Sequence, residues 1–200
     1  MSYPILLDVS DKRIVIVGGG SVALRKAAKL IEAGAADITV VSPAFTEGFP
    51  ASVRRVVESY RPEHLAGARL VFAATDSAQV NQSIVAEAQR LGIWVSQADD
   101  GGDFAVPAVL REGAVAVAVS ADSPALAAVI RDKIGQKWDP RWTAMADAMR
   151  TLRPMVLNSG LPPERRKELL RELASDAAMD RLAAEGIDAL HEWVMKRIHG

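Results

Sequence analysis

A short β-branched run that ends directly in three glycines leaves this chain few folds to choose from. Residues 13–26 read RIVIVGGGSVALRK. Residues 13–17 suit a short buried strand. From Val22 onward, Val22, Ala23, Ala27, Leu30 and Ile31 recur at helical spacing, and Gly34 follows as a helix end would require. Gly18, Gly20 and Ala23 fit G-x-G-x-x-G/A between a predicted strand and a predicted helix, which is the context that gives the motif meaning. Gly18 permits the tight turn, Gly20 lets backbone N–H groups approach a pyrophosphate, and small Ala23 lets helix and strand pack closely. Ser21 and Val22 open the helix, whose first turn supplies free donors and a partial positive charge. The motif predicts a dinucleotide site. The alternative is a tight strand–helix turn that binds nothing.

The pattern then repeats. Residues 38–41 (ITVV) read as a second buried strand, 54–60 as a third nearer an edge, and 61–65 as a turn or short helical piece. Residues 68–75 form a fourth strand, and 93–98 a fifth. Between these two, Val80, Ile84, Ala88 and Leu91 mark a helix that Asp76 or Ser77 caps and Gly92 ends. Strands alternating with helices predict an α/β, Rossmann-like, doubly wound parallel sheet. DDGGDFAVP (99–107) is a polar loop, 114–120 an apolar strand, and 125–138 a helical run that includes Trp138. Trp138 and Trp142 stand four apart, which on a helix makes them a packing pair. The remainder is helical, with breaks expected at Arg153-Pro154, at 159–163 and near Gly186. The expected domains are 1–112, a small α+β segment 113–150 and a helical tail 151–200.

Composition excludes several classes. The chain has no cysteine, so disulfides, thiolate metal sites and cysteine nucleophiles are ruled out. His64, His191 and His199 are scattered, so no resident metal site is expected. A net charge of −1 offers no global field for nucleic acid or for a membrane surface. No apolar run approaches the ~20 residues of a membrane span, and the N-terminus lacks the features of a signal peptide. The expectation is a cytoplasmic protein with no nucleic-acid or membrane partner.

The second strand ends in Val41-Ser42-Pro43, where the dinucleotide fingerprint usually carries an acid for the adenosine ribose. Ser42 can still bond a ribose hydroxyl, and no arginine follows to clamp a 2′-phosphate. NAD is therefore expected over NADP, with Gly18, Gly20, Ser21, Val22, Ala23, Ser42 and Pro43 at the cofactor, joined by Thr75 and Asp76 after strand four.

Four stretches go beyond this general logic. They are GGGSVALRK (18–26), AATDSAQVN (73–81), SQADDGGDFAVPA (96–108) and VAVSADSPALAAVIRDKI (117–134). In this order and spacing the chain resembles the precorrin-2 dehydrogenase and sirohydrochlorin ferrochelatase family, the dehydrogenase module of siroheme synthases. The resemblance covers residues 3 to about 150, and the tail matches in kind only. It implies NAD-dependent oxidation of precorrin-2 to sirohydrochlorin, in siroheme or cobalamin synthesis. It also implies a homodimer through residues 113–150. It leaves open a bifunctional enzyme that inserts Fe²⁺ as well. A rival of a different class is a dinucleotide-sensing regulatory module without catalysis.

Oxidising the macrocycle removes a hydride and a proton, and a carboxylate at the C-terminal edge of a parallel sheet suits the proton. Asp99 ends strand five at the family's catalytic position and is the expected base, with Asp100 and Asp103 as competitors. Ser96 and Gly101 depart from the family's usual residues, which bears more on chelation than on dehydrogenation. The poly-carboxylate substrate calls for local cations, with Arg25 and Lys26 first and Arg111, Arg131 and Lys133 as further candidates. Ser120 and Ser123 are expected to meet a substrate carboxylate, although Ser123 also suits a helix cap.

Overall fold

The computed structural model describes residues 3–97 and 102–200, which divide into two compact units, Met1–Val106 and Pro107–Gly200. In the first unit, five strands form one parallel sheet in the order β3-β2-β1-β4-β5. They are β1 (Arg13–Val17), β2 (Asp37–Val41), β3 (Arg54–Val56), β4 (Leu70–Ala73) and β5 (Trp94–Gln97). β1 lies between β2 and β4, so the strand order reverses beside it. Ile14 and Ile16 face α1 (Ser21–Glu32), while Val15 and Val17 face α2 (Ala78–Arg90); all four are buried. A side chain such as Ile16 contributes about 1.5–3 kcal/mol on full burial. This two-sided burial explains why β1 reads as a continuous apolar run rather than an alternating one. Gly34 and Gly92 directly follow the ends of the two helices, as expected.

β3 is shorter than its sequence suggests, because only residues 54–56 pair with β2. The 3-10 turn Pro62–Leu65 then carries the chain under α2, with Leu65 fully buried. The outer edge of β5 is closed by residues just beyond it. Asp103 donates its N–H to the Val95 carbonyl (2.7 Å) and accepts from Val95 N–H through Oδ2 (2.9 Å).

In the second unit, β6 (Ala108–Glu112) and β7 (Val115–Val119) form an antiparallel hairpin against which α3 (Pro124–Gln136) packs. The division at 106/107 falls before the expected boundary at 112 because residues 108–112 pair with β7 rather than joining the parallel sheet. α4 (Pro140–Leu157), α5 (Pro163–Leu173) and α6 (Asp176–His199) bury Leu152, Val156, Leu173, Leu190 and Val194 between them. Gly186 (φ 83°, ψ −179°) breaks the axis of α6 where the sequence predicts a break.

The break expected at Pro154 does not occur: α4 runs through it. Pro154 lies one turn from the helix end, so its ring removes a single i→i−4 bond there. Fully buried Leu152 and Val156 on either side hold that turn in place. Trp138 is not helical but precedes α4; it packs edge-on against Trp142 at 5.1 Å and donates from Nε1 to Thr143. Asp139 caps α4 through Arg141 N–H, and the Arg141 side chain joins Asp139 to Asp180 and Asp176 on α6.

Hydrogen bonds from the Arg141 side chain and backbone hold the Asp139 carboxyl below the usual range. A lowered carboxylate pKa stabilises the fold above its unfolded value, and that support is lost as pH falls through the folded value. The melting temperature of Arg141→Met should therefore lie below wild type at pH 7, and the gap should narrow as pH falls below the ordinary carboxylate range. A gap independent of pH would exclude the ion pair as its source.

Candidate functional site

The C-terminal ends of β1, β2, β3 and β4 open into a cleft of about 620 Å³, lined by the glycine turn, residues 41–46, Ser59, Tyr60 and residues 74–77 with Val80. This is the switch point where parallel sheets bind ligands. Three strand ends are fastened together by backbone bonds. Gly18 N–H donates to Val41 O (2.9 Å), Ala74 N–H to Val17 O (2.8 Å), and Thr46 N–H to Gly19 O (2.8 Å).

The three glycines have different reasons to be glycine. Gly18 has φ +123°, and a Cβ there would overlap the Ala74 carbonyl oxygen. Gly19 was not singled out by the motif, yet a Cβ on it would overlap the Ala44 carbonyl and lie 2.7 Å from Ser42 Oγ. Gly20 has an ordinary φ of −86°, and a Cβ there would meet nothing within 4 Å. Packing therefore accounts for Gly18 and Gly19, whereas at Gly20 the absent side chain leaves open space in the cleft wall.

Gly20 is also the N-cap of α1 and provides no side-chain acceptor, and the first turn contains no acid. The N–H groups of Ser21, Val22 and Ala23 precede the first intrahelical bond, Leu24 N–H to Gly20 O. In α2, α3 and α6, by contrast, Ser77, Ser123 and Ser175 accept such a first-turn bond. A bare glycine, free donors and open space together fit the pyrophosphate of a dinucleotide. Ala23 is fully buried against the sheet, as the motif requires. Ser42 is 8% exposed in the cleft wall beside Pro43. Among the described residues, Asp76 is the one charged residue of the lining.

After β4, Thr75 and Asp76 line the cleft. The cap of α2 is Ser77 rather than Asp76, which leaves the Asp76 carboxylate exposed at the opening. Asn81, quoted in the sequence but given no role, is buried and makes three hydrogen bonds to Thr75. Its Oδ1 accepts from Thr75 N–H (3.1 Å) and Oγ1 (2.7 Å), and its Nδ2 donates to Thr75 O (2.9 Å).

Asp99 and Asp100 lie outside the described residues. Asp103 is fastened to the middle of β5 through Val95, which accounts for its carboxylate without a catalytic role. On α1, Arg25 is exposed, whereas Lys26 is partly buried with Nζ 4.8 Å from the centroid of the Phe72 ring. Burial, then the charges of Arg25 and Lys29, push the Lys26 ammonium below its usual range. Neither residue lines the cleft. Ser120, Ser123, Arg111, Arg131 and Lys133 belong to the second unit. There Ser123 caps α3 through Leu126 N–H (3.4 Å), and Arg131 pairs with Asp132. Among the described residues no cluster of three or more His, Cys, Asp or Glu is arranged for a metal, and no helix is long and apolar enough to cross a membrane.

Residues 5–108 match the model of a family described as putative NAD(P)-binding. Siroheme synthase 2 of Aeromonas salmonicida is 32% identical, aligned over 97% of this chain and 42% of that protein. A siroheme synthase of Nitrosospira multiformis is 31% identical over 98% of this chain and 44% of its own length. A siroheme synthase of Nitrosomonas eutropha is 39% identical over 66% of this chain and 30% of its own length. The chain thus spans less than half the length of these curated relatives. A solved structure titled "SirC, precorrin-2 dehydrogenase" superimposes with TM-score 0.76 and 23% identity, over 98% of this chain and all of that one. The fold is therefore shared with that structure.

The glycine geometry predicts a split between two neighbouring substitutions. Gly19→Ala should lower stability by roughly 2–4 kcal/mol, because backbone atoms must move to admit the methyl group. Gly20→Ala should cost less than ~1 kcal/mol, since the added carbon meets open space. Thermal melts of both variants decide this, and equal losses would refute the assignment.

Proposed function

This chain belongs to the putative NAD(P)-binding family, and from that premise we propose that it oxidises precorrin-2 to sirohydrochlorin with NAD⁺. The observation that carries the proposal is the open space at Gly20, above the free donors of α1, in a cleft whose other two glycines are explained by packing. The likeness to siroheme synthases along nearly the whole chain supports the substrate. The structural neighbour is named for the dehydrogenation alone, so this reading stands ahead of the bifunctional alternative and of a non-catalytic sensor.

Gly18, Gly20 and the N–H groups of Ser21, Val22 and Ala23 hold the pyrophosphate, while Ser42 and Pro43 hold the adenosine ribose. Thr75 and Asp76 shape the wall beyond β4. Among the described residues the cleft lining contains no lysine or arginine to neutralise a 2′-phosphate, which favours NAD over NADP. The bound nicotinamide supplies the hydride acceptor. Precorrin-2 gives up a hydride and a proton, yielding sirohydrochlorin, NADH and H⁺, with Asp99 as the base for the proton. Lys26, a cation set against an aromatic ring, and Arg25 beside it are proposed to meet substrate carboxylates, as are Ser120 and Ser123. In the bifunctional alternative, iron arrives as a second substrate on the macrocycle nitrogens. A cytoplasmic location suits a chain without cysteine.

The proposed assembly is a homodimer. A two-stranded hairpin is marginal alone, and α3 beside it exposes Leu126, Val129 and Ile130 at 52%, 49% and 37%. Sedimentation should give a dimer for wild type and a monomer, or at least ~10-fold weaker association, for Leu126→Asp. A wild-type monomer at micromolar concentration would remove this part of the proposal.

Anaerobic incubation with enzymatically generated precorrin-2 and NAD⁺ should produce NADH and sirohydrochlorin absorbance together. Gly20→Asp should weaken NAD⁺ binding by roughly 10²-fold, by placing a carboxylate where the pyrophosphate belongs. Asp99→Asn should leave NAD⁺ affinity within about twofold and lower turnover ~10²–10⁴-fold. NAD⁺ binding without either product would move the sensor reading to first place.

A further inference from the structure

Asn81 is the one buried side chain of α2 whose polar atoms all point back at the preceding loop. It is 3% exposed, and its three bonds converge on Thr75 from one turn inside the helix. They occupy the N–H, the hydroxyl and the carbonyl of the same residue. Thr75 Oγ1 also accepts from Ser77 N–H (3.2 Å). Both donors of Thr75, its N–H and its hydroxyl, are thus spent within its own chain, and it has no donor left to offer a ligand. Its contribution to the cleft is the position of its backbone.

That position matters because of what it touches. Gly18 turns against Ala74 and Thr75: a Cβ on Gly18 would overlap the Ala74 carbonyl and lie 3.1 Å from Thr75 N. Asp76 at the cleft opening and the Ser77 cap follow directly. A six-residue sequence separation between Thr75 and Asn81 is therefore closed by side-chain bonds rather than by a backbone ladder.

We infer that Asn81 is a positioning residue for dinucleotide binding. It fixes the loop between β4 and α2 in the shape that accepts the cofactor, acting through Thr75 and not by contact. This rests on the cofactor reading above. The asparagine is required because the site needs two acceptances and one donation within a buried volume, which a single carboxamide supplies.

The test is a double-mutant cycle read as NADH affinity by fluorescence, with melting temperatures recorded alongside. Asn81→Ala should raise the NADH dissociation constant about 10-fold or more, and Thr75→Val about threefold. The double variant should be no weaker than Asn81→Ala alone, because both changes break one unit. In turnover, the KM for NAD⁺ should rise while kcat at saturation stays within about twofold. A residue that only stabilises the fold would shift melting and leave the affinity of the folded protein alone, and that result in Asn81→Ala overturns the assignment. Additive effects would also overturn it, since they would deny that Asn81 acts through Thr75. Should Asn81→Ala fail to fold, Thr75→Val binding NADH as tightly as wild type would overturn it. If wild type itself binds no NADH, the cofactor reading falls and takes this assignment with it, whereas loss confined to these predictions leaves that reading standing.

Discussion

The site depends on a contact that only backbone can make. Where β1 ends, Gly18 and Gly19 lie against the carbonyls of Ala74 and Ala44, with no room for a single extra carbon at either place. The hydrogen bonds Gly18 to Val41, Ala74 to Val17 and Thr46 to Gly19 continue the parallel ladder past the ends of the strands. Three loops that would otherwise move separately thus share one frame. The cleft is defined by that frame, and the first turn of α1 opens into it without a cap of its own.

The frame also explains a division of labour among the residues around the cleft. Some leave polar groups unspent at the cleft: the uncapped donors of α1 and the serine that follows β2. Others are spent on holding neighbours, as Asn81 and Thr75 hold each other and Asp103 holds β5. A polar residue near a cleft is ambiguous until its partners are counted. Asp103 and Asp99 read alike in the sequence, and the two bonds to Val95 place Asp103 among the structural aspartates.

Much of the sheet is legible in the sequence, because β1, β2 and β4 are buried on both faces and the helices beside them have one apolar side each. Gly18, Gly20 and Ala23 are legible because the motif records what a pyrophosphate and a tight turn require. Gly19 is not, since its constraint comes from Ala44, which the fold brings to it from the next strand. Asn81 stands in plain view, yet its role depends on a helix turn folding its side chain back onto residue 75. Pro154 misleads for the opposite reason: a local rule predicts a break, and burial of Leu152 and Val156 overrides it. Position 112 looks like a boundary because the grammar changes there, whereas the pairing of β6 with β7 draws the preceding strand into the second unit.

The bonds between Asp103 and Val95 have a further consequence. An outermost strand with unused N–H and C=O groups is a template on which another chain can add a strand. Here the groups of Val95 are already engaged by the chain's own continuation, so the middle of β5 offers nothing to a second molecule. Crowded copies of this protein cannot use those groups to join their parallel sheets edge to edge. At that position association is left to surfaces made of side chains, which mutation can tune one residue at a time, instead of a backbone surface that every sequence shares.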